Sequence, residues 1–336
     1  MWRIPESTTR FGWVRARIRL YWLIRSWVLA RECELVECPD CYGWIAGWPK
    51  LPVPLVLRAH GSLTYYAHEL QQRLNPTGHH LEVWAYRRSD AWVAVSQHAG
   101  NVTRKLFHLK SGPNAVLYNP IDAPRAVPTF ETRHLGKVVF TGTLTTKKGV
   151  IPLFKAWPMV KERYPRVELH MYGKDGGAAE SGDTMQNYLL KLLPDRLHAS
   201  VNFHGNVPRA ELLQALCTAR AAVFPSYTET FGLGPVEAMA CACPTIYTKL
   251  TCGPEIVENG VDGLLIDPDQ PSEIADAILA IMLDNMLARR LSVAGRARAL
   301  RCYTLAHLVP ANEAFFAALI NSFHQQESQP EKDGIT

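Results

Sequence analysis

The sequence predicts two doubly wound α/β domains in tandem, and three observations point there. Short apolar runs alternate with helical periods from Glu34 to Tyr118, the pattern of a parallel sheet covered by helices. The alternation stops over Asp122 to Gly136, where Pro124 and Pro128 fall and no period is evident, and restarts at Lys137. The length of 336 residues suits two domains at about 150 residues each.

In the first stretch, 1–122, residues 10–31 read as a helix. It carries Arg10, Arg15, Arg17, Arg19, Arg25 and Arg31 beside Trp13, Val14, Ile18, Tyr21, Trp22, Ile24, Trp27 and Val28. Such a helix either packs on a sheet with its arginines in water or makes a peripheral contact with an anionic membrane surface. Strands are expected at Glu34–Cys38, Pro54–Ala59, Ala91–Ser96 and Ala115–Tyr118. Helices are expected at Leu63–Arg73, His79–Arg88 and Gln97–His108.

Residues 123–136 read as the linker, and 137–303 as the second domain. Its strands are expected at Lys137–Phe140, Arg166–Tyr172, Val201–His204, Ala221–Phe224, Pro244–Tyr247 and Gly263–Ile266. Helices are expected at Val150–Arg163, Arg209–Ala219, Pro235–Cys241, Glu273–Leu283 and 287–300. A last helix, 304–323, is expected to return to the first domain, and the polar tail 324–336 to be disordered.

Composition narrows the function. Apolar residues make up 47% and charged residues 20%, ordinary for a folded soluble chain. Lys plus Arg is 36 against 31 acids, a net charge of +5, too mild to indicate nucleic acid, and none is expected as a partner. Met1 to Arg10 is polar, with no cleavable apolar core after it. The run Leu20–Ala30 is broken by Arg25 and falls short of the roughly 20 residues that span a bilayer. A cytoplasmic protein with reduced thiols is expected. Cys38-Pro-Asp-Cys41 is half of a zinc site with no second half, so no metal is expected.

The segment richest in chemistry is Pro225-Ser-Tyr-Thr-Glu229-Thr-Phe231-Gly232-Leu233-Gly234-Pro-Val-Glu237. It follows a strand and opens a helix. Glycines there let a ligand approach the backbone, and free amides at a helix start attract phosphate. Glu237 alone would be explained as a capping carboxylate in the first helical turn. Glu229 and the glycines are not explained that way. Other motifs fail. Gly232-Leu-Gly234 lacks the third glycine of a dinucleotide fingerprint, and Gly142 is followed by Lys147-Lys148-Gly149 where a P-loop needs glycine, lysine and then serine or threonine.

Glu229 and Glu237, with seven residues between them, resemble the E-x7-E signature of retaining family 4 glycosyltransferases of the GT-B fold. The resemblance continues through Glu237-Ala-Met-Ala-Cys-Ala242-Cys-Pro-Thr-Ile246, with Ala242 where the family usually has glycine. It also covers Gly253–Val257, Gly263–Pro268 and Val139-Phe-Thr-Gly142-Thr143-Leu-Thr-Thr-Lys147-Lys148-Gly149. Thr143 stands where the family often has an arginine. A third block is Val56-Leu-Arg-Ala-His60-Gly61, while Ser89-Asp90 and Val95-Ser96 read as structural.

The resemblance implies two Rossmann-like domains, the first of them reduced. It implies a nucleoside diphosphate sugar as donor substrate, no cofactor, and a glycan, lipid-linked or small-molecule acceptor. Lys148 and the Gly142–Thr143 loop would hold the diphosphate. The Phe231, Gly232, Leu233 and Gly234 amides would meet the sugar phosphate. Glu237 would bind the ribose and Glu229 the sugar, and His60 would close the site. Backbone near Gly173 and Asn206 would meet the base. The alternative is a silent nucleotide-binding or scaffolding remnant.

Overall fold

The computed structural model describes residues 12–177 and 182–327. Among these, one compact unit holds the residues up to Tyr118 together with those from Val309 onward; the other runs from Asn119 to Leu308. The expected behaviour of Met1–Arg10, of Arg10 in the first helix and of the tail beyond 327 falls outside the described residues.

The first unit contains α1 (Gly12–Leu29), β1 (Val36–Pro39), β2 (Leu55–Ala59), α2 (Leu63–Glu69), α3 (Pro76–Arg88), β3 (Ala91–Ala94), α4 (Gln97–Leu106) and β4 (Ala115–Val116). The four strands form a parallel sheet in the order β1-β2-β3-β4. All five residues of β2 are buried, as a central parallel strand requires. Helix α3 begins three residues before the expected His79, because Asn75 accepts from the Gly78 N–H at 3.1 Å and Pro76 occupies the first turn. Asp90 and Ser96 have structural work. Asp90 accepts from the Leu55 N–H at 2.9 Å, and Ser96 caps α4 by accepting from Ala99 at 3.0 Å.

Buried carboxylates organise the loop after β2. Glu82 on α3 is fully buried and accepts from the backbone N–H groups of Tyr42, Leu63 and Thr64 and from the Thr64 hydroxyl, which satisfies the exposed donors at the start of α2. Asp40 is also fully buried and accepts from the His60 N–H at 3.1 Å and the Tyr86 hydroxyl at 3.3 Å. Burial pushes its pKa up to about 7, with the charge of Glu82 adding to the rise.

The second unit contains β5 (His134–Thr141), α5 (Val150–Arg163), β6 (Glu168–Tyr172), α6 (Met185–Lys191), β7 (Val201–Gly205), α7 (Arg209–Thr218), β8 (Ala219–Phe224), α8 (Leu233–Ala240), β9 (Thr245–Thr248), α9 (Gly253–Ile256), β10 (Leu264–Ile266), α10 (Pro271–Leu283) and α11 (Asn285–Cys302). Its six parallel strands run β10-β9-β8-β5-β6-β7. The chain winds outward one way from β5 and the other way from β8, so the strand order reverses between those two. That switch point is where a doubly wound sheet opens a crevice at its carboxyl edge. α5 and α10 pack Leu153, Trp157, Ile274 and Ile278 onto the sheet residues Val138, Phe140 and Val223.

Residues 123–136 are not a plain linker. β5 begins at His134, inside that range, and the residues before it belong to the second unit. Arg133 holds them there. It is buried, and its guanidinium donates to the carbonyls of Leu216, Ala219 and Cys241 at 3.2, 3.0 and 2.8 Å. A sequence pattern reads such an arginine as solvated, because arginine is seldom buried without partners that only the fold supplies.

The last helix, α12 (Leu305–Glu327), runs four residues past the expected end at 323, so 324–327 are helical and not part of a disordered tail. From Val309 onward it belongs to the first unit. There Phe315 and Leu319 pack on Val56, Ala91, Val93 and Leu117. Arg58, buried on β2, ties this packing together by pairing with Glu37, the Leu117 carbonyl and Asn312 Oδ1, the last two at 3.2 and 2.8 Å.

Candidate active site

At the carboxyl ends of β5, β6 and β8 the second unit holds a cavity of about 450 Å³. Gly142, Thr143 and Lys148 line it from the loop after β5. Glu229, Phe231, Gly232, Leu233, Gly234 and Glu237 line it from the loop after β8 and the start of α8. These residues are up to 95 positions apart in sequence (237 less 142), and the crossing at the switch point brings them together. His60 lies in the first unit, one residue past β2, and lines no part of this cavity. Partial desolvation, and then the Arg58 charge, hold its pKa below the usual imidazole value.

Local geometry fixes the loop that carries Lys148. Thr146–Lys148 form a 3-10 turn, closed by Gly149 at φ +69°. A Cβ at Gly149 would lie 1.7 Å from the Pro225 carbonyl oxygen, so only glycine permits this approach. The Tyr227 N–H donates to the Lys147 carbonyl at 2.8 Å and pins the two loops together. In consequence Lys148 Nζ meets Glu229 Oε1 at 2.5 Å, and the Ser226 hydroxyl donates to the same oxygen at 3.1 Å. Lys147 lines no part of the cavity, so it is Lys148 that faces it. Desolvation, and then the neighbouring Lys148 charge, lower the Lys147 pKa.

The turn into α8 is equally constrained. Gly232 sits at φ +85°, and a Cβ there would come within 2.3 Å of the Tyr247 hydroxyl. The helix starts at Leu233, two residues earlier than Pro235, so Glu237 is its fifth residue and not a first-turn carboxylate. Its capping role therefore falls away, because a capping carboxylate sits at the third position. Glu237 is 9% exposed, lines the cavity and accepts from Arg209 Nη1 at 2.5 Å. Phe231 is buried with its ring edge-on to Tyr303 at 5.6 Å, which leaves its backbone to face the cavity.

Tyr172, Gly173, Lys174, Asn206 and Val207 form the wall built by β6 and β7. Gly173 and Asn206 were foreseen; Lys174 and Arg209 were not. Each lies just past a β-strand or opens a helix, and the only sequence signal was that position at a carboxyl edge.

Residues 132–298 match the family model described as glycosyl transferases group 1. Residues 4–125 match the model described as glycosyltransferase family 4. The chain belongs to this glycosyltransferase family. A glycogen synthase from Mycobacterium tuberculosis is 27% identical over 297 residues, covering 85% of this chain and 68% of the relative. A D-inositol 3-phosphate glycosyltransferase from Corynebacterium jeikeium is 34% identical over 160 residues, 47% of this glycosyltransferase and 37% of that one.

Solved structures place the glycosyltransferase in the GT-B fold. A sucrose-phosphate synthase from Thermosynechococcus elongatus superposes with a TM-score of 0.78 at 20% identity, over 95% of this chain and 83% of that one. Anabaena HepE in complex with UDP gives 0.74 at 19% identity, over 92% and 84%. The family's usual glycine is replaced here by Ala242, and that position has φ +54°, the left-handed region where glycine is favoured.

Proposed function

We propose that this glycosyltransferase moves a sugar from a nucleoside diphosphate sugar to a hydroxyl of a glycan, lipid-linked or small-molecule acceptor, with retention at the anomeric carbon. One observation carries the reading. A single cavity at the switch point gathers two carboxylates, Glu229 and Glu237, with Lys148, the Gly142–Thr143 loop and the open start of α8. That set matches the parts of a nucleoside diphosphate sugar. A carboxylate suits paired ribose hydroxyls, and an ammonium with free helix amides suits a diphosphate.

In this reading Glu237 accepts from the ribose hydroxyls, and Lys148 with the loop amides holds the diphosphate. Glu229 lies beside the sugar and steadies the positive charge that develops on it. His60 is the residue of the first unit to which we assign a contact with the transferred sugar. The bond from the anomeric carbon to the phosphate oxygen breaks while the acceptor oxygen bonds the same face. The acceptor proton passes to the departing phosphate oxygen. Catalysis is then positioning and electrostatic stabilisation, with the leaving diphosphate as the larger charge to stabilise. The step calls on no metal, and the work is assigned to the cytoplasmic side of the membrane.

Thermal unfolding with UDP, GDP, ADP and their sugars tests the donor site, with Glu237→Ala as control. Ligand at about a hundred times its dissociation constant stabilises by roughly 2.7 kcal/mol. A shift with one nucleotide, lost in the variant, supports the site and names the base. The anomeric configuration of the product, read by proton NMR, tests retention. Binding without transfer would favour the silent nucleotide binder, and a folded sample that no nucleotide stabilises would overturn both.

A further inference from the structure

We infer that the face of the first unit formed by α1 and Trp84 docks on an anionic lipid bilayer, with a cavity between them that receives part of a lipid. The inference gives a surface to the membrane contact considered for the Arg-rich helix. It does not depend on sugar transfer.

From Gly12 to Arg31 the chain carries Arg15, Arg17, Arg19, Arg25 and Arg31 and no acidic residue; the next acids, Glu32 and Glu34, follow the helix. One face of α1 is open to solvent. At helical spacing it presents Ile18, Trp22 and Leu29, exposed by 52%, 58% and 57%, among Arg15 and Arg19. Neither arginine makes an ion pair among the described residues. Trp84 of α3 adds a second tryptophan, 53% exposed, with exposed Arg87 one turn on. A helix inside a folded unit has no reason to expose its largest apolar side chains between unpaired cations. A helix lying in a bilayer interface does, since indole rings and guanidinium groups partition together to the headgroup level. No described helix is long and apolar enough to cross a membrane, so the helix lies on the surface and does not span it.

A second, independent feature points to a ligand. A cavity of about 400 Å³ opens between the two elements, lined by Trp13, Ile18, Trp22, Trp48 and Trp84. Trp48 is 6% exposed, and its indole Nε1 has no hydrogen-bond partner. A buried indole N–H requires an acceptor. Aromatic walls, an unanswered donor inside and cations at the rim fit an amphiphile with an ester or phosphate oxygen at the head of an acyl chain. Arg17 cannot supply the missing acceptor, because a guanidinium only donates. Its guanidinium is occupied by the carbonyls of Tyr42 and Gly43, and it lies 4.9 Å over the Trp13 ring.

Flotation of the full chain with vesicles tests this. Vesicles of equal parts phosphatidylcholine and phosphatidylglycerol should carry the protein up the gradient, and pure phosphatidylcholine vesicles should carry far less. The paired substitution Arg15→Gln with Arg19→Gln should weaken binding by about thirtyfold, since each surface charge contributes about fivefold. Trp22→Ser with Trp84→Ser should weaken it at least as much and abolish quenching of tryptophan fluorescence by brominated lipid. All four positions are solvent-facing, and unchanged unfolding temperatures will confirm folded variants. No binding to the anionic vesicles, equal binding to both vesicle types, or variants that bind like the parent would overturn the inference. So would a dimer in sedimentation that the tryptophan substitutions dissolve, because the face would then belong to a second copy. Donor-site failure leaves this readout untouched.

Discussion

Lys148 Nζ donates to Glu229 Oε1 at 2.5 Å across 81 residues of chain. The lysine proposed for the diphosphate and the carboxylate proposed for the sugar thus hold each other. A donor that engages both must take hydrogen bonds the two now share. The Lys148 ammonium is therefore positioned before the donor arrives, which is what electrostatic preorganisation requires.

Lys148→Ala should lower the transfer rate by about a hundredfold while leaving affinity for the bare nucleoside nearly unchanged. Steady-state rates and nucleoside titration measure the two. Equal losses would show that Lys148 supports the fold of the loop and not the leaving group.

Glu237→Ala should remove nucleotide-induced stabilisation, and Arg209→Ala should weaken it only in part. Glu237 is the buried member of the pair, while the Arg209 side chain is half exposed. If the two substitutions have the same effect, the arginine, and not the ribose hydroxyls, is the partner that gives Glu237 its role.

Thr143→Arg should tighten nucleoside diphosphate binding by about tenfold, because one charge-assisted hydrogen bond contributes about 1.5–3 kcal/mol. Thr143 already lines the cavity beside Gly142. Calorimetric titration would check it, and weaker binding would mean that the guanidinium does not reach the phosphates.

Ala242→Gly should stabilise the protein by about 1 kcal/mol. The left-handed φ of +54° follows α8, with the Cys243 N–H bonding back to Ala238 and the Ala242 carbonyl accepting from Ser292 at 2.6 Å. Those bonds hold alanine in a conformation that suits glycine. A lower unfolding temperature in the glycine variant would show that the backbone there is not strained.

Asp40 makes stability depend on pH. Its ordinary value is 3.8 and burial raises it to about 7. The folded state thus holds a proton the unfolded state releases. The stabilisation is full below about pH 4 and is lost as pH rises to about 7, with a slope of at most 1.36 kcal/mol per pH unit. Asp40→Asn should flatten that window in thermal unfolding, and an unchanged profile would place the titration elsewhere.

Local patterns determined much of this protein. Val150–Arg163 is a helix with the anticipated bounds, because apolar side chains at helical spacing fill the face that packs on a sheet. The switch-point loop was legible because glycines, Glu229 and Glu237 lie close together in sequence, between a strand and a helix. The tertiary structure decided what depends on partners remote in the chain. The role of Arg133 rests on three carbonyls that only folding assembles, so it read as part of a linker. Arg209 was invisible because its partner Glu237 lies 28 residues away on another element. The pKa of Asp40 and the unanswered indole of Trp48 follow from burial. Burial is set by what packs around a side chain, and a sequence states only what that side chain is.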